Sequence, residues 1–354
     1  MDTLKVLVTG AGAPGLPGTV YSLKNNPDNR SIDVVGVDAR SEVIGKYICE
    51  RFYKVPYAHE DEFIPELLEI CRKEKVRVIL PQVTKELGKL AQSRRAFLDE
   101  GVVIAVSDRR AIEIANNKYE LSLVAEKAGV PIPELYKVKR WSDLEEKAVK
   151  LGYPEKPVVV KPPVSSGMRG LRIISEEIDL KRLYFENKPT SLYIKLQSLY
   201  NILGERFPDL LVMEYLPGPE YTVDILAWKG EPYVVIPRKR IEIKCGITFI
   251  GVAEKNEDII EYSRKLAKAL GLSYAFGFQF RMDEDGVPKV IECNPRIQGT
   301  MVLSTIAGAN IIYGAVKLAL GETPGPFSSI RWGAKLVRYW GGVGVYSGKI
   351  IARI

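Results

Sequence analysis

The sequence holds one histidine, His59, among 354 residues. That scarcity argues against a Ser-His-Asp triad, whose general base is histidine. His59 opens the polar stretch His-Glu-Asp-Glu and reads as solvated surface. Of the four cysteines, Cys49, Cys71, Cys245 and Cys293, no two form a C-x-x-C pair, so zinc and dithiol chemistry lack a motif. No apolar run approaches the ~20 residues of a membrane span. No basic segment with a cleavage site precedes the first strand-like run, Leu4 to Val8. A soluble, cytoplasmic protein that binds no membrane is expected. No run of five like charges occurs despite a net charge of +7. Basic residues are interleaved with acids, as in Glu145 to Lys150, which disfavours nucleic acid and suits a site for a polyanionic small molecule. A Walker A loop is also missing: Gly348-Lys349 is followed by Ile350, and Val343 stands where the first glycine belongs.

What is present is a globular balance of 46% apolar and 27% charged residues. A chain this size buries about 75% of its unfolded surface. At roughly 150 residues per domain it suggests two or three domains. Leu4–Val8, Val34–Val37, Val76–Leu80 and Val102–Val106 are short apolar runs. Between them lie helical patterns such as Phe63, Leu67, Leu68 and Cys71. Alternation of this kind predicts a parallel sheet with right-handed crossovers. Arg109 to Lys127 reads as helix, stopped at Gly129-Val-Pro-Ile-Pro133. Val158–Lys161 and Leu171–Ile174 read as strands around the loop Pro162–Gly170. Leu210–Met213 and Tyr221–Leu226 are further strands, and Ile259–Leu270 is an amphipathic helix ended by Gly271. Phe276–Met282 and Lys289–Cys293 flank the turn signal Asp283-Glu-Asp-Gly286. Thr300 to Leu320 is a mostly apolar helical stretch, and the tail beyond Gly321 is strand-like.

Gly10-Ala-Gly12-Ala-Pro-Gly15 fits G-x-G-x-x-G after a strand, and Asp38 ends the second strand. Together they match a dinucleotide fingerprint and keep an NAD(P)-dependent oxidoreductase as an alternative. Pro14 and Leu16-Pro17-Gly18 depart from the usual helix entry. The glycines equally suit a first turn that only packs tightly, or one that contacts a small substrate.

The second half carries a better-connected set. A triphosphate needs cations, backbone N–H groups and divalent metal around it. At 4 Å and an effective dielectric near 20, each opposite-charge pair supplies about 4 kcal/mol before desolvation. Lys118 opens a helix in Asn116-Asn-Lys118-Tyr-Glu. Lys161 ends a strand beside Ser165-Ser166-Gly167-Met-Arg169-Gly170, a loop suited to cradling phosphates. At Pro217-Gly218-Pro219 one strand is expected to end and the chain to turn so that a strand returns, and the turn Glu214-Tyr215-Leu216-Pro-Gly-Pro-Glu220 can present a backbone C=O and N–H to an adenine edge. Glu292 and Asn294 lie two apart on a strand and so share a face. Gln279, on the partner strand of the expected hairpin, can lie opposite them. Three such oxygen donors suit Mg²⁺, and Arg296 follows where a phosphoryl oxygen would sit.

In this order, the motifs resemble those of the ATP-grasp superfamily, in particular the carbamoyl-phosphate synthase large subunit and related carboxylate–amine ligases. The resemblance runs from about residue 4 to residue 320. It implies an α/β chain with an α+β ATP-grasp part: an N-terminal doubly wound parallel sheet, then a two-lobed grasp. The expected divisions are 1–108 for the Rossmann-like domain, 109–214 for the small lobe, 215–325 for the large lobe with the metal site, and 326–354 for a strand-like tail. By the resemblance, Lys118 and Lys161 bind the α- and β-phosphates of ATP, and residues 165–170 close over the γ-phosphate. Glu214, Tyr215 and Leu216 frame adenine, and Glu220 holds the ribose. Gln279, Glu292 and Asn294 carry Mg²⁺ or Mn²⁺, and Arg296 stabilises the transferring phosphoryl group. The chain departs from the synthetase in having one grasp unit instead of two and in the stretch Tyr184–Pro208, which reads as unusual helix.

The implied chemistry is phosphorylation of a carboxylate to an acyl phosphate, then displacement of phosphate by an amine. Arg238 and Arg240 share a strand face and suit a substrate carboxylate as a fork, or else form a solvated basic strand. The expected partners are these small carboxylate and amine substrates, with a homodimer allowed. A non-catalytic ATP-binding module is the other alternative.

Overall fold

The structure, a computed structural model, describes residues 3–165, 167–186, 192–244 and 246–354. Ser166 and Cys245 lie outside the described residues. Two compact units form. The larger comprises Met1–Ala115, Glu220–Gln279 and Cys293–Ile354; the smaller comprises Asn116–Pro219 and Phe280–Glu292.

The larger unit begins with five strands, β1 (Leu4–Thr9), β2 (Ile32–Asp38), β3 (Arg51–Lys54), β4 (Val78–Leu80) and β5 (Val103–Ile104). They pair in parallel in the order β3-β2-β1-β4-β5. Both faces are covered, which explains the unbroken apolar runs. Val6 and Val8 enter one core while Leu7, between them, enters another. The expected doubly wound sheet is therefore present.

The smaller unit holds β6 (Leu135–Arg140), β7 (Val158–Lys161), β8 (Arg172–Ile174), β9 (Tyr193–Ile194) and β10 (Arg206–Glu214), ordered β6-β10-β7-β8-β9. Val138, Trp141, Leu144, Val158, Val160 and Val212 form its core.

A six-stranded sheet follows, built from β11 (Glu220–Trp228), β12 (Glu231–Lys244), β13 (Ile247–Ala253), β14 (Tyr274–Met282), β15 (Pro288–Asn294) and β16 (Lys335–Val337). Its order is β15-β14-β11-β12-β13-β16. The helix Glu257–Leu270 starts at Asn256, whose Oδ1 accepts from the Ile259 N–H at 2.9 Å, and ends at Gly271 in the left-handed region. The tail closes with the hairpin of β17 (Val343–Tyr346) and β18 (Lys349–Arg353). Among the described residues, no helix is long and apolar enough to cross a membrane.

Three expectations are corrected. Arg109–Lys127 is two helices, Arg109–Asn116 and Lys118–Lys127, because Asn117 is extended and its side chain accepts from the N–H groups of Tyr119 and Glu120. Thr300–Leu320 breaks into Val302–Ile306 and Ile311–Ala319: Gly308 adopts φ +103° and Asn310 caps the second helix. The strands on either side of Pro217-Gly218-Pro219 belong to different sheets instead of returning beside one another. Within Tyr184–Pro208 the described residues give the end of the helix Leu180–Glu186, then β9, the helix Leu196–Leu203 and the start of β10.

Candidate nucleotide-binding site

In the smaller unit, Asn117 caps the helix that Lys118 opens, and the Lys118 N–H donates to the Pro163 carbonyl at 2.8 Å. The Lys118 side chain is 7% exposed. Its Nζ donates to Ser165 O at 3.3 Å and Ser165 Oγ at 3.4 Å, and lies 3.7 Å from Glu292 Oε2. Lys161, at the end of β7, is buried and donates from Nζ to the Ile291 carbonyl at 3.5 Å. Both lysines line one narrow cleft of about 10 Å³ with Leu135, Met213 and Ile291. Sequestering two ammonium groups this way is costly unless anions meet them. A wider groove of about 290 Å³, lined by Trp141, Glu145 and Tyr200, contains none of the residues expected at the nucleotide.

The loop above Lys118 is exposed from Gly167 to Gly170, and Gly167, Met168 and Gly170 all take positive φ. Met168, at φ +62°, holds a conformation that L-residues with a side chain seldom adopt. Arg169 lies in this exposed stretch.

The expected adenine segment leaves β10 at Glu214. The Glu214 Oε1 accepts from the Glu134 N–H at 2.9 Å and from Lys289 Nζ at 2.6 Å. Burial lowers the pKa of Lys289, but its bonds to Glu214 and Asp283 outweigh that effect and raise it on balance. Leu216 is buried. The Arg281 guanidinium sits 5.3 Å above the Tyr215 ring and donates to Gly218 O at 3.2 Å. Backbone bonds Gly218 N–H to Met282 O and Met282 N–H to Pro219 O, each 3.0 Å, join the same two segments. Sequence reasoning gave Arg281 and Lys289 no role. Their signal was modest: two cations at otherwise apolar hairpin positions.

Gln279 on β14 is half-buried between buried Phe278 and Phe280, and Glu292 and Asn294 on β15 are half-buried around buried Cys293. The two strands are neighbours in the sheet. Among the described residues no trio of His, Cys, Asp and Glu could hold a metal. Glu292 belongs to the smaller unit and Gln279 and Asn294 to the larger; each carries an oxygen donor of the kind that a hard cation such as Mg²⁺ takes.

In the larger unit, Arg296 donates from Nη2 to Asn294 Oδ1 at 3.0 Å, from Nε to Thr84 Oγ1 at 2.8 Å and from Nη1 to Ile297 O at 2.9 Å. Arg240 is tied by Nε to Thr248 Oγ1 at 2.9 Å, by Nη2 to Gly246 O at 2.7 Å and by Nη1 to Glu220. Arg238 overturns the fork expectation. It is 1% exposed and meets fully buried Asp224, Nη2 donating to Oδ1 at 2.7 Å. A second contact, Nε to Oδ2 at 2.6 Å, is an ion pair poorly directed as a hydrogen bond. Asp224 also accepts from Ser304 Oγ at 2.6 Å. Arg238 and Arg240 do share a face, but that face is covered and protein carboxylates already occupy both guanidinium groups. Neither the open fork nor the solvated strand is present.

The first glycine loop also closes on its own chain. The Gly12 N–H donates to Asp38 Oδ2 at 2.7 Å, so the acid expected at a ribose is spent on the loop. A Cβ at Gly12 would fall 2.4 Å from Arg40 Nη2, and one at Gly15 2.8 Å from Gly299 Cα. The tight-packing reading of these glycines accounts for the loop. Nearby, Glu86 Oε2 and Gln82 Nε2 are enclosed without partners among the described residues. Burial pushes the Glu86 carboxyl up to about 7, with Thr9 donating to it in opposition and the Asp38 charge adding to the rise.

Compared with known proteins, residues 206–336 match the family "ATP-grasp in the biosynthetic pathway with Ter operon", and residues 6–105 match "PylC-like, N-terminal domain". The carbamoyl phosphate synthase large chain of Corynebacterium glutamicum is 25% identical over 289 residues, 78% of this chain and 24% of that protein. The chain thus spans about a quarter of the length of the curated relatives it matches. Among solved structures, an ADP complex of N5-carboxyaminoimidazole ribonucleotide synthetase superposes with a TM-score of 0.68 at 16% identity, covering 93% of this chain and 80% of that one. The biotin carboxylase domain dimer of Hydrogenobacter thermophilus 2-oxoglutarate carboxylase, with MgADP, ADP and bicarbonate, gives 0.67 at 21% identity, covering 95% of this chain and 74% of that one.

Proposed function

Because this chain belongs to the ATP-grasp superfamily, we propose that it binds Mg-ATP and uses the γ-phosphate to activate a carboxylate for attack by an amine. The observation that carries the reading is the cleft of the smaller unit, lined by Lys118 and Lys161, with Glu292 Oε2 3.7 Å from the Lys118 Nζ. Two buried cations beside a carboxylate able to hold a metal provide the charges a metal-bound polyphosphate requires. Lys118 and Lys161 neutralise the α- and β-phosphates, and residues 165–170 close over the γ-phosphate to exclude water. Glu214 to Leu216 frame adenine, and Glu220 receives the ribose while bonded to Arg240. Mg²⁺ or Mn²⁺ held by Gln279, Glu292 and Asn294 would supply charge neutralisation at the phosphates. Arg296, bonded to Asn294, would stabilise the transferring phosphoryl group.

In the first step a substrate carboxylate oxygen attacks the γ-phosphorus and ADP leaves. In the second an amine nitrogen attacks the acyl carbon, and phosphate leaves with the electron pair of the broken C–O bond. No enzyme nucleophile is needed, because phosphoryl transfer is catalysed mainly by positioning and charge. The substrates are small molecules, and bicarbonate, present in the biotin carboxylase structure, heads the carboxylates to be tried. The protein would act in the cytoplasm, alone or as a homodimer.

The test is calorimetric titration with Mg-ATP, followed by a phosphate-release screen pairing bicarbonate and other carboxylates with ammonia and amino acids. Lys161→Met should weaken Mg-ATP binding by about tenfold or more, the loss of one close charge pair. Absence of nucleotide binding by the natural protein would end the proposal. Tight binding without phosphate release for any pair would leave only a nucleotide-binding module.

A further inference from the structure

The hairpin of β14 and β15 grips the expected adenine segment at both ends. Lys289 Nζ holds Glu214 Oε1 at 2.6 Å, and Arg281 covers the Tyr215 ring at 5.3 Å while donating to Gly218 O at 3.2 Å. Two backbone bonds between Gly218, Pro219 and Met282 complete the clamp. All these residues belong to the smaller unit.

We propose that Arg281 and Lys289 determine which purine the site accepts, by fixing residues 214–218 and by keeping the Glu214 carboxylate away from the base. The inference rests on the nucleotide-binding reading above. Adenine offers an N6 amino donor beside an acceptor nitrogen, whereas guanine offers an oxygen acceptor beside an N–H donor. A rigid backbone C=O and N–H pair matches the first edge and opposes the second, and such buried polar mismatches discriminate strongly. A mobile segment discriminates less. Glu214 sharpens the argument, because an ionised carboxylate accepts two hydrogen bonds and suits the adjacent N1–H and N2–H₂ groups of guanine. Here Lys289 of the hairpin and the Glu134 N–H, just ahead of β6, engage that carboxylate. Without Lys289, Glu214 becomes available to guanine.

The experiment measures Kd for Mg-ATP and Mg-GTP by calorimetry on the full chain, with a thermal melt of each variant as a folding control. The natural protein should prefer ATP. Lys289→Met should lower the ATP-to-GTP preference about tenfold or more, and Lys289→Arg should retain it within about threefold. Glu214→Gln added to Lys289→Met should restore part of the preference by removing the guanine acceptor. Arg281→Gln should lower it through loss of rigidity alone, with no gain in GTP affinity. If ATP and GTP weaken in parallel in both Lys289→Met and Arg281→Gln, the residues are only structural and the inference falls. Failure of the natural protein to bind either nucleotide defeats the nucleotide reading itself, and this inference with it.

Discussion

Glu86 shows how a single buried group makes stability depend on pH. Its carboxyl is pushed from the ordinary glutamate value near 4.5 up to about 7, chiefly by burial. Stability from the neutral form is complete below pH 4.5 and is lost as pH rises towards 7, because the unfolded chain ionises first. Glu86→Gln should therefore melt close to the natural protein at pH 5 and above it at pH 8, with a gain of a few kcal/mol at most. A gain equal at both pH values would show that burial does not control this group. The same scale explains why Arg238 was misread. Alternation along β12 correctly places Arg238 and Arg240 on one face, but nothing in the local sequence says that Asp224 is buried opposite Arg238. A buried ion pair is a long-range fact, since desolvation is repaid only by a partner that the fold supplies.

Elements were legible where local physics decides them. Short apolar runs gave four of the five strands of the first sheet, β3 with its Arg-Phe-Tyr-Lys sequence being the exception, and Gly271 gave the end of a helix. They were less legible where one capping side chain interrupts a continuous pattern. Asn117 and Asn310 each start a helix by offering Oδ1 to the backbone N–H groups that follow. Strand β14 depends on a close approach at Gly277. A Cβ there would lie 1.6 Å from Gln298 Nε2 and 2.3 Å from Val223 O. The backbone oxygen cannot swing aside as a side chain would. Gly277→Ala should push β14 from β11 and lower the melting temperature by roughly 10 °C or more, a cost of several kcal/mol. A melting temperature unchanged within about 2 °C would mean that the sheet yields there without strain.

At the scale of the molecule, motif order in the sequence named Lys118, Lys161 and Glu292; in the smaller unit the two lysines line one cleft, and Glu292 Oε2 lies 3.7 Å from Lys118 Nζ. Their hairpin supports were hidden, because Arg281 and Lys289 meet Tyr215 and Glu214 at chain separations of 66 and 75 positions. The smaller unit is not one stretch of chain: Phe280–Glu292 joins Asn116–Pro219, and the Val290 N–H donates to Pro131 O at 3.0 Å. During synthesis on a ribosome, residues 116–219 must therefore wait, incomplete, until the chain through Glu292 has cleared the exit tunnel. Stalled nascent chains ending well short of that point should be cut readily by protease within 116–219, and those long enough to release Glu292 should resist. Equal resistance at both lengths would show that the late hairpin is dispensable for closing the unit.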